Sequence, residues 1–394
     1  MLDLAERLEE LESRGLRRRL RLIEGPQGPR VLLDGRPVLL LCSNNYLGLA
    51  GHPGLQRAAA DAALSLGTSA GASRLISGSM SIHAELEARL AEFKGTEASL
   101  LFGSGYLANT GVIAALAGRG EAVFSDELNH ASIIDGCRLA GAETFVYRHG
   151  DVGHLEWGMR RSAGRAALIV TDGVFSMDGD IAPLEDLAAL ARRHDCRLMV
   201  DEAHATGCIG PGGRGSVAAA GLSGEVDVIV GTLGKALGGY GAYVCGSRQM
   251  ADFLVNFARP FIFSTAPPPP AVAAASAALE LLVQRPQRVE RLRANAAALR
   301  AGLCSEGLKP IGDETQIVPL VAGEADEAMA LCERLLAEGI FAQAIRPPTV
   351  PPGTCRLRLT VMATHRIADL RRAARLIGAA TRELAGRPVL REAA

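Results

Sequence analysis

The stretch Leu198-Met199-Val200-Asp201-Glu202-Ala203-His204, followed by Val228-Ile229-Val230-Gly231-Thr232-Leu233-Gly234-Lys235, decides how this chain is read. Each half opens with a short apolar run and closes on polar residues. That pattern predicts a buried strand delivering side chains at its C-terminal end, where open α/β sheets place their ligands. The lysine is informative because lysine is so scarce. Of 42 Lys+Arg residues, lysine stands only at 94, 235 and 309. Arginine stays protonated and cannot form an imine, whereas a desolvated lysine can lose its proton and attack a carbonyl. A carboxylate beside an imine-forming lysine is what pyridoxal 5'-phosphate requires, because the acid keeps the pyridine nitrogen protonated and the ring able to accept electrons.

Outward from these motifs, strands and helices alternate between about residues 95 and 250. Ala98–Phe102, Ala122–Phe124, Thr144–Val146, Ala167–Thr171, Arg197–Val200, Val226–Val230 and Gly241–Cys245 read as strands separated by alanine-rich helical segments. The expectation is an α/β fold whose sheet is mostly parallel and carries helices on both faces. Gly241–Cys245 follows Lys235 too soon for a helical crossover, so it is expected to run antiparallel. Residues 2–22 read as one amphipathic helix carrying Leu4, Leu8 and Leu11 at helical spacing, and Val31–Leu41 as a hairpin. Pro53 opens a helix. The expected division is an arm at 1–50, a large domain at 51–280 and a smaller C-terminal α+β domain at 281–394.

Composition narrows the function classes. The 394 residues are 48% hydrophobic and 4% aromatic with a net charge of −1, so no concentrated basic face for nucleic acid is expected. Eight cysteines are scattered without C-x-x-C pairs or zinc spacing, which points to reduced thiols, a cytoplasmic setting and no metal. No apolar leader and no membrane-spanning run are read.

Gly103-Ser104-Gly105-Tyr106-Leu107-Ala108 fits G-x-G-x-x-A at a strand-to-helix turn, with Asp126 at about the distance a dinucleotide fingerprint requires. The same backbone cradles any phosphate at a helix N-terminus. NAD is therefore the rival ligand, but it leaves Asp201, His204 and Lys235 without roles. Gly210-Pro211-Gly212-Gly213-Arg214-Gly215 lacks a following helix opening and reads as a mobile loop. His130 either caps a helix or stacks on a flat ring. His204, three residues after Asp201, can lie beside the same ring, as can Ser176 in its turn. Arg356 and Arg358 share one face of a strand and form either a carboxylate fork or an exposed ladder of charge. Arg346-Pro347-Pro348-Thr349-Val350-Pro351-Pro352 is a stiff extended segment.

Together the motifs Ser43-Asn44-Asn45-Tyr46-Leu47-Gly48-Leu49, Gly105-Tyr106, Asn129-His130-Ala131-Ser132, Val174-Phe175-Ser176-Met177-Asp178-Gly179-Asp180, Asp201-Glu202-Ala203-His204, Thr232-Leu233-Gly234-Lys235 and Phe261-Ile262-Phe263-Ser264-Thr265 are highly specific. From about residue 15 to 380 the chain resembles the α-oxoamine synthases, pyridoxal-phosphate enzymes of the aspartate-aminotransferase fold (fold type I). The resemblance implies a seven-stranded sheet in the large domain and a homodimer with sites at the subunit interface. It also implies roles. Lys235 would hold the cofactor, Asp201 its ring nitrogen, and His204 and Ser176 its oxygen side, with His130 stacked on the ring. Gly105, Tyr106 and Thr232, with Thr265 toward the neighbouring subunit, would bind it chiefly around the phosphate. Asn44, Arg17, Thr349 and Arg358 would contact substrate, Arg358 through the amino-acid carboxylate. Asn129 replaces a serine common in the family, and Asp172 stands where some members carry glutamate. Within the family, Ala344–Pro351 resembles the biotin-pathway branch, which condenses L-alanine with a pimeloyl thioester of coenzyme A or acyl carrier protein. Sister members such as glycine C-acetyltransferase, and a non-catalytic regulator on the same fold, are the alternatives.

Overall fold

In the computed structural model, residues 3–162 and 164–385 are described. Two compact units emerge. One comprises Asn45–Ser176 and Asp180–Glu290; the other comprises the chain before Asn45, Met177–Gly179 and the chain from Arg291 on.

The larger unit is built on a seven-stranded sheet. Its spatial order is Ala98–Phe102, Ala242–Gly246, Val228–Thr232, Arg197–Asp201, Ala166–Asp172, Ala122–Asp126 and Glu143–Tyr147. The last five are parallel to one another, whereas Ala242–Gly246 runs antiparallel to both of its neighbours. The strands are β-branched and aliphatic because helices cover both faces. Val112 and Ile113, on the helix Gly105–Leu116, pack with Val123, Leu168, Val170 and Val230 in one core. Burying each of these side chains stabilises the fold by roughly 1.5–3 kcal/mol.

The chain order delivers polar groups to one rim. Four adjacent parallel strands end on Thr232, Asp201, Asp172 and Asp126, and Asp172 pairs in register with Asp201. On the edge strand Glu143–Tyr147, Phe145 packs on Trp157 at a ring separation of 5.9 Å. Trp157 is the only tryptophan in the sequence; it stacks on His154 and lies half exposed on the helix Val152–Arg161.

The smaller unit holds a four-stranded sheet ordered Ile23–Glu24, Arg30–Leu33, Arg36–Leu40 and Ile340–Phe341. It also holds an antiparallel three-stranded sheet with Cys355–Thr360 at its centre, flanked by Ile317–Gly323 and Gln343–Ile345. The hairpin lies where its turn residues put it, with Asp34 and Gly35 both at positive φ.

Two readings are corrected. The first helix covers only Leu4–Ser13, not 2–22. It ends because the backbone N–H groups of Leu16 and Arg17 both turn back to the Leu11 carbonyl, after which the chain is irregular up to the Ile23–Glu24 strand. The Gly210–Gly215 segment does open a helix, the short Ser216–Ala219. The buried Glu202 carboxylate holds that helix start, accepting from Val217 N at 2.7 Å and from Ser216 Oγ at 3.0 Å. Gly215 is required at the approach: its φ is +106°, and a Cβ there would overlap the Glu202 carboxylate.

Candidate active site

Asp201, His204 and Lys235 are gathered at the rim of the large sheet. Lys235 Nζ lies 2.8 Å from His204 Nε2, and the opposite ring nitrogen, Nδ1, lies 2.7 Å from Tyr46 Oη. Asp201 is buried; its Oδ2 accepts from Asn109 Nδ2 at 2.6 Å and its Oδ1 from Ala203 N at 2.8 Å. The same Asn109 amide donates to Ser132 Oγ at 2.8 Å, and Ser132 Oγ lies 2.7 Å from His130 Nδ1. A continuous polar chain therefore runs from His130 to Asp201. His130 is also the N-cap of the helix Ala131–Ala140, so the capping reading of this histidine holds in the structure.

Asp172 sits beside Asp201. Its backbone N–H donates to Asn129 Oδ1, and its Oδ2 accepts the His130 N–H at 2.8 Å. Burial, and then the neighbouring Asp201 charge, pushes the Asp172 carboxyl well above the ordinary carboxylate value. Desolvation lowers the His130 pKa; Asp201 opposes this and Lys235 reinforces it. Asn129 Nδ2 donates to Val170 O at 2.8 Å and to Ser125 Oγ at 2.9 Å, so this departure from the family pattern ties neighbouring strands together.

Gly105 and Tyr106 form the first turn of their helix, capped by Ser104 Oγ, which accepts from Leu107 N. Tyr106 Oη bonds the Asp135 carboxylate, and that bond raises the tyrosine pKa. Thr232 Oγ1 accepts from Gly234 N at 3.1 Å at the entry to the lysine loop. Ser176 occupies the turn after the Ala166–Asp172 strand, and Thr265 is exposed and bridges to Ser73.

The remaining expected site residues belong to the smaller unit. Arg358 is buried and donates to Asn44 Oδ1 at 3.1 Å. Arg356 is equally buried and pairs with Asp178, so the strand is not an exposed ladder of charge. Arg17 pairs with Glu12 at 3.2 Å. Arg17, Arg346 and Thr349 line a cavity of about 1420 Å³.

Three groups escaped the motif reading. Asn109 stands four residues after Gly105 on one helix, and that i,i+4 spacing was the available signal. Lys94 is buried against Glu202 and also donates to Thr206 Oγ1 at 2.8 Å and Arg214 O at 2.6 Å. His149 lies between Asp126, at 2.9 Å from Nδ1, and Asp180, at 2.6 Å from Nε2. Those bonds raise its pKa to about 10.

The donor set suits a flat phosphorylated aldehyde. An amine faces a histidine, and each Asp201 oxygen spends one acceptor site, leaving capacity for a ring N–H. The Ser104–Leu107 helix start supplies backbone donors for an anion. Among the described residues, no His/Cys/Asp/Glu group could hold a metal ion, and no helix is long and apolar enough to cross a membrane.

The family model for class I and II aminotransferases matches residues 36–377. Two curated relatives, from Geobacter metallireducens and Geobacter sulfurreducens, are both named 8-amino-7-oxononanoate synthase. The first is 57% identical, covering 95% of this chain and 97% of its own. The second is 54% identical, covering 97% and 98%. A solved serine palmitoyltransferase from S. paucimobilis, with PLP and myriocin bound, superposes with a TM-score of 0.91 at 34% identity, covering 97% of each chain. The chain belongs to the class I and II aminotransferase family and, within it, to the α-oxoamine synthases. The two Geobacter relatives named 8-amino-7-oxononanoate synthase are over 50% identical to the chain, against 34% for the palmitoyltransferase.

Proposed function

We propose that this chain performs the pyridoxal-phosphate-dependent, decarboxylating condensation of L-alanine with a pimeloyl thioester, of coenzyme A or acyl carrier protein. The products are 8-amino-7-oxononanoate, carbon dioxide and the free thiol carrier, a step of biotin biosynthesis. The observation that carries this reading is Lys235 Nζ at 2.8 Å from His204, on the rim that also bears Asp201, in a chain 57% identical to a named synthase. The palmitoyltransferase shares the fold at a TM-score of 0.91, so shape alone does not select the substrate.

When bound, the cofactor supplies an electron sink that stabilises negative charge at the amino-acid Cα. The chain's own residues do the rest. Lys235 Nζ takes and returns the Cα proton as general base. Asp201, oriented by Asn109 and Ala203 N, accepts the ring N–H and keeps it protonated. His204 and Ser176 would hold the ring's oxygen side, and His130 would cover its face. Gly105, Tyr106 and Thr232, with Thr265 of a second copy, receive the phosphate in a homodimer. Arg358 and Asn44 bind the alanine carboxylate, and Arg17 and Thr349 the acyl chain. All eight cysteines are free, consistent with a reducing cytoplasm.

The test is the purified chain loaded with pyridoxal phosphate and offered pimeloyl-CoA or pimeloyl-acyl carrier protein with alanine, glycine or serine. Mass spectrometry should find 8-amino-7-oxononanoate with alanine only. Product from serine and palmitoyl-CoA, with none from alanine and either pimeloyl carrier, would replace this reading with the palmitoyltransferase one.

A further inference from the structure

We propose that Tyr46 is a positioning residue for the reactive lysine: its hydroxyl sets the tautomer of His204, so that the ring presents Nε2–H to Lys235 and favours the neutral amine. The inference rests on the reading of Lys235 as the cofactor-binding amine. The geometry is a three-membered line, Tyr46 Oη to His204 Nδ1 at 2.7 Å and His204 Nε2 to Lys235 Nζ at 2.8 Å.

Tyr46 is fully buried and His204 is 5% exposed, so both depend on protein partners for their polar atoms. A neutral imidazole has one donor and one acceptor nitrogen, and the group bonded to one nitrogen fixes which proton the other carries. A phenol keeps its proton near neutral pH. If it donates to Nδ1, the ring proton must lie on Nε2. An ammonium has three donors and no acceptor, so only the neutral amine of Lys235 can accept from Nε2–H. The tyrosine thus selects the nucleophilic form of the lysine from two bonds away.

The packing holds this line in place. Tyr46 stands in a turn whose Leu47 and Leu49 are fully buried, closed by Gly48 N to Asn45 O at 2.8 Å. The turn seats against the lysine loop at Gly238, which has φ +62° and where a Cβ would overlap the backbone of Leu49 and Ala50. Gly238 N bonds the Lys235 carbonyl at 2.9 Å, so the tyrosine turn and the lysine loop meet with no slack. The two rings lie 6.0 Å apart and tilted at 57°, an arrangement set by the hydrogen bond rather than by stacking.

The experiment uses the cofactor-free full chain labelled with 15N-histidine, and its Tyr46→Phe variant. In the wild type, His204 Nδ1 should resonate as a bare acceptor and Nε2 as a protonated nitrogen. In Tyr46→Phe that preference should be lost. Attachment of added pyridoxal phosphate to Lys235, fixed with borohydride and located by mass spectrometry, should slow about tenfold, the scale of one hydrogen bond. A protonated Nδ1 in the wild type overturns the proposal, and that measurement does not depend on the variant folding. So does a folded Tyr46→Phe chain with unchanged tautomer and attachment rate. If the wild type never attaches the aldehyde at Lys235, the functional reading fails instead, and the nitrogen shifts still decide the tautomer.

Discussion

Lys94 and Lys235 lie in the same unit and meet opposite surroundings. Lys94 is sealed: its side chain is 1% exposed, and it pairs with Glu202, Thr206 Oγ1 and the Arg214 carbonyl. Lys235 is half-buried and faces a histidine nitrogen. The two environments are supplied by consecutive residues. Asp201 closes its strand and bonds Asn109, while Glu202 bonds Lys94, Ser216 and Val217. One carboxylate locks a cation into the scaffold, and its neighbour is the one proposed to serve the cofactor. A buried lysine is therefore not in itself a sign of catalysis: Lys94 is sealed in an ion pair with Glu202.

The contrast breaks most directly at Lys235. Lys235→Ala should lower condensation turnover by about 10³-fold or more, the range of a lost general base and attachment point, with little change in the urea midpoint. Substantial residual turnover would abolish the distinction. The converse holds for Lys94. Lys94→Met leaves Glu202 buried and unpaired and should cost about 3–5 kcal/mol of stability in urea unfolding. Adding Glu202→Gln to that variant should restore much of the loss. If Lys94→Met instead unfolds like the wild type, the ion pair is not what holds this region.

His149 repeats the Lys94 pattern and sharpens it with pH. Its pKa of about 10 lies above the ordinary 6.5, so its stabilisation is complete below pH 6.5 and is lost as pH rises toward 10. His365 does the reverse. Burial lowers its pKa to about 4, so its contribution is intact above 6.5 and fades as pH falls toward 4. Thermal midpoints should decline on both sides of neutrality, and His149→Gln should flatten the alkaline limb alone. The smallest expected effect is at Arg17. Its exposed pair with Glu12 is worth at most about 1 kcal/mol, so Arg17→Ala should leave the melting temperature nearly unchanged while raising KM for the thioester.

Much of this was legible in the sequence for a physical reason. Asp201 and Lys235 each follow a short apolar run, and its length, β-branched content and flanking turn residues mark such a run as a buried strand. The expected antiparallel turn-back after Lys235 is present as Ala242–Gly246, because the connection is too short for a crossover. The first helix is shorter than expected because the spacing of Leu4, Leu8 and Leu11 carries no stop, whereas Gly15, at φ +62°, turns the backbone back to the Leu11 carbonyl. The Lys94–Glu202 pair and the Tyr46–His204 contact were illegible because each joins residues more than a hundred positions apart. Local pattern carries no information about such pairings.

Trp157 has a practical consequence. As the sole indole, on an outer helix of the larger unit, it makes intrinsic fluorescence a local reporter. Emission melts will follow that unit and stay silent about the other, so a separate early loss of the smaller unit would show in circular dichroism and calorimetry while the fluorescence trace still looked native.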